Sequence, residues 1–402
     1  MIGFEIRLTI GSERRGDARG VLMRGWRERG IQAAGSVVVA LALVAAGGVV
    51  AQDPAAPAPK GMAPAKEDPK GKAPGNPRKG GRGRAPARAP VKGVRKAVDP
   101  LANPGGGAAN QPLPAPGTFH YRFKFAVGGE PLAAAYYPSK LGNVAPVALL
   151  VHERERSSKD FEEPLAELKG LSLAEALQKQ GYAVLAFDLR GHGGNNRRNV
   201  PKAEFAAVPG DFQAAYYCLV DRHNWGELNL AKLGVVALGE GGNVALAWAA
   251  GGGGVSSEGR TGDLGALVLV SPMADAQSQG LNAKPPITAL AARVPIDLLV
   301  GERDAASSEL VDDTRPDRSV RPILKRHPTN KVETFPSALH GYQMLRLEPN
   351  LTASVLRFLE TTVKAKADEW DGRYLFNPVT YTEIRVIPNP IRPDPATKKA
   401  AQ

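Results

Sequence analysis

The sequence predicts an α/β domain over residues 117–366 of the 402-residue chain, with a mostly parallel central sheet and helices on both faces. Three observations carry this. Short apolar runs alternate with stretches of helical periodicity from Val147 to Val363, the order that a parallel sheet with crossover helices requires. Val147–Val151 is a continuous apolar run, as in a strand buried on both faces. Each run is followed by polar residues and glycines, and ligands of open parallel sheets bind at strand carboxyl ends.

The elements follow in order. Phe119–Ala126 and Leu132–Tyr137 read as strands separated by the Gly128-Gly129 turn, forming an antiparallel edge. Val147–Val151 is the first buried strand. A helix is expected over Phe161–Gln180, with a Ser172/Glu175 capping-box pattern inside it and Gly181 at its stop. Tyr182–Phe187 is the next strand, Phe212–Val220 a helix, Gly234–Leu238 a strand and Asn243–Ala250 a helix. Leu264–Val270, Ile296–Val300 and Val332–Phe335 complete the strands. Leu351, Val355, Phe358 and Leu359 give a closing helix its apolar face. About 25 residues separate Val270 from Ile296, too few for a large lid, so the cleft is expected to be shallow.

The rest of the chain has a different texture. Arg24, Arg27 and Arg29 precede an apolar run from Ile31 to Ala51 that ends in small residues, as an export signal does; residues 1–51 read as a signal peptide or an N-terminal anchor. Either places the remainder outside the cytoplasm, periplasmic or secreted. Residues 52–116 hold 14 of the 34 prolines and no aromatic residue, and read as a disordered basic linker. Residues 52–100 carry seven Lys and five Arg against four acids, a net charge of +8 out of the chain's +12. Such a segment suits an anionic envelope polymer or membrane surface, or serves as a solvated spacer. Its lack of aromatics argues against nucleic acid. Residues 367–402 form a tail in which Trp370, Tyr374 and Phe376 point to partial packing. Cys218 is the only cysteine, which excludes an intramolecular disulfide and a cysteine metal site. No His/Asp/Glu spacing suggests a metal, and Gly251–Gly254 follows a helix rather than opening one, so it is no phosphate loop. No cofactor is expected.

The chemistry lies after the strands. His152-Glu153-Arg154 follow the first buried strand, Asp188-Leu189-Arg190-Gly191-His192-Gly193 the second, and Gly239-Glu240-Gly241-Gly242 the third. Gly301-Glu302-Arg303-Asp304 and Ser337-Ala338-Leu339-His340-Gly341 follow the last two. In order and spacing these turns resemble the α/β-hydrolase superfamily, especially its dienelactone-hydrolase-like and serine-peptidase-like branches, over Phe119 to about Val363. The resemblance implies Asp304 as the acid and His340 as the base, and a Gly-x-Ser-x-Gly nucleophile elbow over Ala237-Leu238-Gly239-Glu240-Gly241. Here Gly239 stands at the nucleophile position. The backbone N–H groups of Glu240 and of Glu153 or Arg154 are implied as an oxyanion hole.

The departure decides the expected function. Acyl transfer needs a side-chain nucleophile, a histidine base and an orienting acid. Without an oxygen at residue 239 no acyl-enzyme can form there. The leading expectation is therefore a pseudoenzyme that binds a small molecule or a protein partner through the old cleft. A second is an ester, peptide or lactone hydrolase that uses water activated by His340 and Asp304, or an unconventional nucleophile such as Glu240 or Ser271. A third is a structural envelope protein that binds through its basic linker. His152 and His192 are read as structural, and Cys218 as a core residue.

Overall fold

The computed structural model describes residues 99, 101, 115–195, 207–254, 262–274, 281–372 and 378–390. The expected signal peptide, most of the basic linker, and Tyr374 and Phe376 of the tail lie outside these residues. The described residues all lie in one compact unit, Pro90–Gln402. Among the described residues no helix is long and apolar enough to cross a membrane.

Nine strands make one sheet in the order β8-β7-β6-β5-β3-β4-β2-β1-β9. They are β1 (Phe119–Ala126), β2 (Leu132–Tyr137), β3 (Val147–Val151), β4 (Ala183–Phe187), β5 (Leu233–Leu238), β6 (Leu264–Val270), β7 (Ile296–Gly301), β8 (Lys331–Phe335) and β9 (Thr380–Pro388). Strands β3 to β8 run parallel, and β2, β1 and β9 extend the sheet antiparallel. Every residue of β3, β4, β5, β6 and β7 is buried, and apart from Asp297 in β7 these strands carry no charged residue. Helices α1 (Leu173–Lys179), α2 (Val208–Asn224), α3 (Glu240–Ala250), α4 (Lys284–Leu290), α5 (Gly341–Leu347) and α6 (Leu351–Leu359) cover the faces. One core layer joins the sheet to α2, α3 and α4, and the other joins it to α1, α5 and α6.

Local chemistry accounts for two departures from the sequence reading. The helix expected over residues 161–180 is a 3-10 turn, Ser158–Glu162, followed by a separate helix α1. Pro164 lacks an N–H, and the chain turns through positive φ at Lys169 and Gly170 before Ser172 starts α1 with a complete capping box. Helices α4 and α5 were not foreseen; both are only seven residues long.

Two segments outside 117–366 join the domain. Leu101 is fully buried in the core. Asp99 Oδ1 accepts from Arg222 Nη1 at 2.9 Å, and Arg222 has no solvent exposure. The tail supplies β9, whose Tyr381 hydroxyl donates to Asp221 at 2.6 Å beside the same arginine. If the end of the linker is part of the fold, Leu101→Ala should cost about 2–4 kcal/mol. Urea unfolding of the full chain measures this, and an unchanged midpoint would place residue 101 outside the cooperative unit.

Candidate active site

The turn after β5 has the shape expected of a nucleophile elbow. Gly239 joins β5 to α3 with φ 49° and ψ −129°. Glycine adopts that conformation freely, whereas a side chain there costs about 1–3 kcal/mol. Gly241 lets α3 approach β3, since a Cβ on it would stand 2.2 Å from the His152 carbonyl oxygen.

Sheet register determines what faces Gly239. Strand β3 lies beside β5 with Val151 opposite Ala237. Two residues further on, Glu153 comes opposite Gly239. A Cβ on residue 239 would lie 2.8 Å from Glu153 Cβ, 3.0 Å from Glu153 Oε2 and 3.1 Å from His340 Nε2. The Glu153 carboxylate thus occupies the space into which a side chain at 239 would project. Its Oε2 accepts the Tyr342 N–H at 3.1 Å. It also fills the space beside Gly341, where a Cβ would lie 1.6 Å from Oε2. Two glycines and one amide make a seat for this carboxylate.

The Asp304 and His340 turns meet because β7 and β8 are neighbours, with Gly301 opposite Phe335. His340 Nδ1 donates to Asp304 Oδ2 at 2.8 Å, which leaves Nε2 toward Gly239. Asp304 also accepts from the Ala306 N–H and the Ser307 hydroxyl. Burial disfavours the Asp304 anion, but the His340, Ser307 and Ala306 donors outweigh it and hold the carboxyl below its ordinary range. At His340 burial disfavours the cation. The Asp304 hydrogen bond and charge, then Glu153 and Glu240, outweigh it and raise the imidazole pKa. Burial raises the Glu153 pKa, against the Tyr342 N–H and His340, and Glu240 adds to the rise.

A family model described as serine aminopeptidase, S33, matches residues 169–355. Together with the nine-stranded sheet, this match gives the chain the α/β-hydrolase fold. Among solved structures, an esterase from Pyrococcus furiosus is similar at 17% identity and TM-score 0.45, over 64% of this chain and 96% of the esterase. An acylaminoacyl peptidase from Pyrococcus horikoshii is similar at 14% identity and TM-score 0.45, over 63% of this chain and 43% of the peptidase. A sugar hydrolase from Lactococcus lactis is similar at 15% identity and TM-score 0.44, over 60% of this chain and 98% of that one. No curated protein sequence matches.

Within this hydrolase fold, the residues singled out from sequence fall into two groups. Gly239, Glu153, His340 and Asp304 come together, and Glu240 is close enough for its charge to act on Glu153 and His340. Arg154 is exposed. The sequence reading assigned Glu153 a role only through its backbone; its carboxylate is the group that was missed. Ser271 is buried and its hydroxyl faces Met344 Sδ at 3.2 Å. His152 Nδ1 donates to the Glu153 carbonyl, and its Nε2 accepts the Leu189 N–H at 3.0 Å. Burial drives the His152 pKa down to about 4, so it is neutral and ties two loops together. The Cys218 thiol is fully buried and its pKa is pushed up to about 12 by that burial. Among the described residues no group of three or more His, Cys, Asp or Glu is placed to hold a metal ion.

Removing the Glu153 charge removes one of the interactions that favour the imidazolium. The His340 pKa should fall in Glu153→Gln and fall further in Asp304→Asn, the larger of the two contributors. NMR titration of the His340 ring reads both, and an unchanged value in Glu153→Gln would show that the carboxylate does not sense the ring.

Proposed function

We propose that this protein is an exported α/β-hydrolase-fold protein without serine-hydrolase activity, and that it binds a small ligand or partner through the residual cleft. The observation that supports this most is the occupant of the elbow. Residue 239 is glycine, and the Glu153 carboxylate lies 3.0 Å from where its Cβ would be. Two arguments follow. With no oxygen at residue 239, His340 has no hydroxyl to deprotonate there, and no covalent acyl intermediate forms at that position. In addition, an acyl-transfer transition state places negative charge at the start of α3, where helix N–H groups would stabilise it. The carboxylates of Glu153 and Glu240 oppose that charge. Their effect on His340 also favours imidazolium, the form that cannot act as a base.

Export rests on the apolar run of residues 31–51 behind its arginines. The basic residues of 52–100 suit contact with an anionic envelope surface. The retained dyad favours the second reading, hydrolysis by water that His340 activates.

Reversal of the lesion separates these readings. The wild type should show no turnover of an ester, peptide and lactone panel and no labelling by a fluorophosphonate. Gly239→Ser alone should also stay unlabelled, because its side chain meets Glu153 Cβ at 2.8 Å. Gly239→Ser with Glu153→Ala frees that space, and should gain fluorophosphonate labelling and slow ester turnover that His340→Ala abolishes. Wild-type turnover lost on His340→Ala would instead establish the water-activated reaction.

A further inference from the structure

Asp297 has no place in the cleft, yet it is the least satisfied charged group of the described core. It is the second residue of β7, with no solvent exposure, and no protein donor reaches either carboxylate oxygen. An unpaired carboxylate in such a setting is held as the neutral acid. Burial first, then the nearby Glu333 charge, push its pKa up to about 7 against the opposing effect of Lys331.

Its surroundings leave one cation to respond. Strand β6 (Leu264–Val270) carries no charged residue. Arg357, the one charged residue of α6, is exposed to solvent, and the cation whose charge acts on Asp297 is Lys331. The 3-10 turn Ser308–Val311 carries Glu309, which pairs with Arg315 and Arg318. On β8, Lys331 stands in register with Asp297, and Glu333 follows two residues later. The Lys331 ammonium lies 5.6 Å from the centre of the Phe358 ring. Strand β7 leads directly to Asp304, and β8 leads to His340.

We propose that Asp297 is a proton-operated latch between β7 and β8. As the neutral acid it packs within the sheet and keeps Asp304 and His340 in register. On losing its proton to solvent it draws Lys331 away from Phe358 into an ion pair, and the β7–β8 edge loosens together with the dyad. The latch is independent of whether the cleft binds a ligand.

The sign follows from linkage. Between the ordinary carboxylate value of 3.8 and the raised value of about 7, the folded chain holds a proton that the unfolded chain has released. This contribution to stability is therefore largest below that window, falls as pH rises through it, and levels off above it. Carboxylates such as Asp304 slope the other way, so the comparison is between wild type and Asp297→Asn. In the full chain, the wild-type thermal midpoint relative to that variant should drop by roughly 5 °C or more between pH 4 and pH 7 and then level off. At pH 8, relative to pH 6 and after correction for intrinsic rates, amides 331–335 should exchange about tenfold faster in the wild type only. The downfield resonance of the His340 Nδ1 proton should weaken over the same range in the wild type only. Lys331→Met should leave the midpoint below pH 6 unchanged and deepen the loss at pH 8. Asp297→Leu serves if the asparagine variant does not fold. Midpoint curves for wild type and variant that stay parallel from pH 4 to pH 8, or equal exchange at 331–335, would overturn the latch.

Discussion

The site depends on the alignment of β3 with β5. These strands leave the chain far apart in sequence and lie side by side because the connection from β4 returns across β3. Ligands of open α/β sheets bind where strand order reverses in this way. With Val151 opposite Ala237, the two exits are in step, and whatever follows β3 by two residues faces whatever follows β5 by two residues. Here that pair is Glu153 and Gly239. The same logic brings Asp304 and His340 together from β7 and β8. The sheet, rather than any single turn, is what assembles the constellation.

That alignment also explains why the glycine and the glutamate belong together. A side chain at residue 239 and the Glu153 side chain compete for one volume, since the former's Cβ would stand 2.8 Å from the latter's Cβ. The glycine at 341 makes room for the same carboxylate, and the Tyr342 amide gives it a donor. The glycine at residue 239 is thus accompanied by a filled seat. The filled seat has an electrostatic consequence, because a third carboxylate beside Asp304 and Glu240 favours the protonated form of His340.

Much of this was legible in the chain itself. The unbroken apolar runs of β3 to β6 reflect burial on both faces, and no partner strand need be known to read that. The elbow, the Asp304 turn and the His340 turn are local patterns, and they stand where the strands end. The Glu153 carboxylate was not legible, because its importance depends on which strand neighbours β3, and strand order is a property of the assembled sheet. The split of the expected helix at 161–180 turned on the Pro164 and Gly170 breaks inside an otherwise periodic stretch. Strand β9 and Leu101 escaped because each borrows its partners from distant chain: β1, and the core and Arg222 beside Asp99. Asp297 looked like one polar residue in an apolar run, and only packing shows that no donor reaches its carboxylate.

The central claim is that this elbow cannot carry an acyl group. Its most direct test is the intact mass of the full chain during incubation with an excess of an activated aryl ester. The account requires the mass to stay that of the unmodified chain while the ester hydrolyses no faster than in buffer. A transient acyl adduct mapped to the Glu153 side chain, to another group beside His340 or to Ser271, together with a burst of the aryl alcohol, would contradict it.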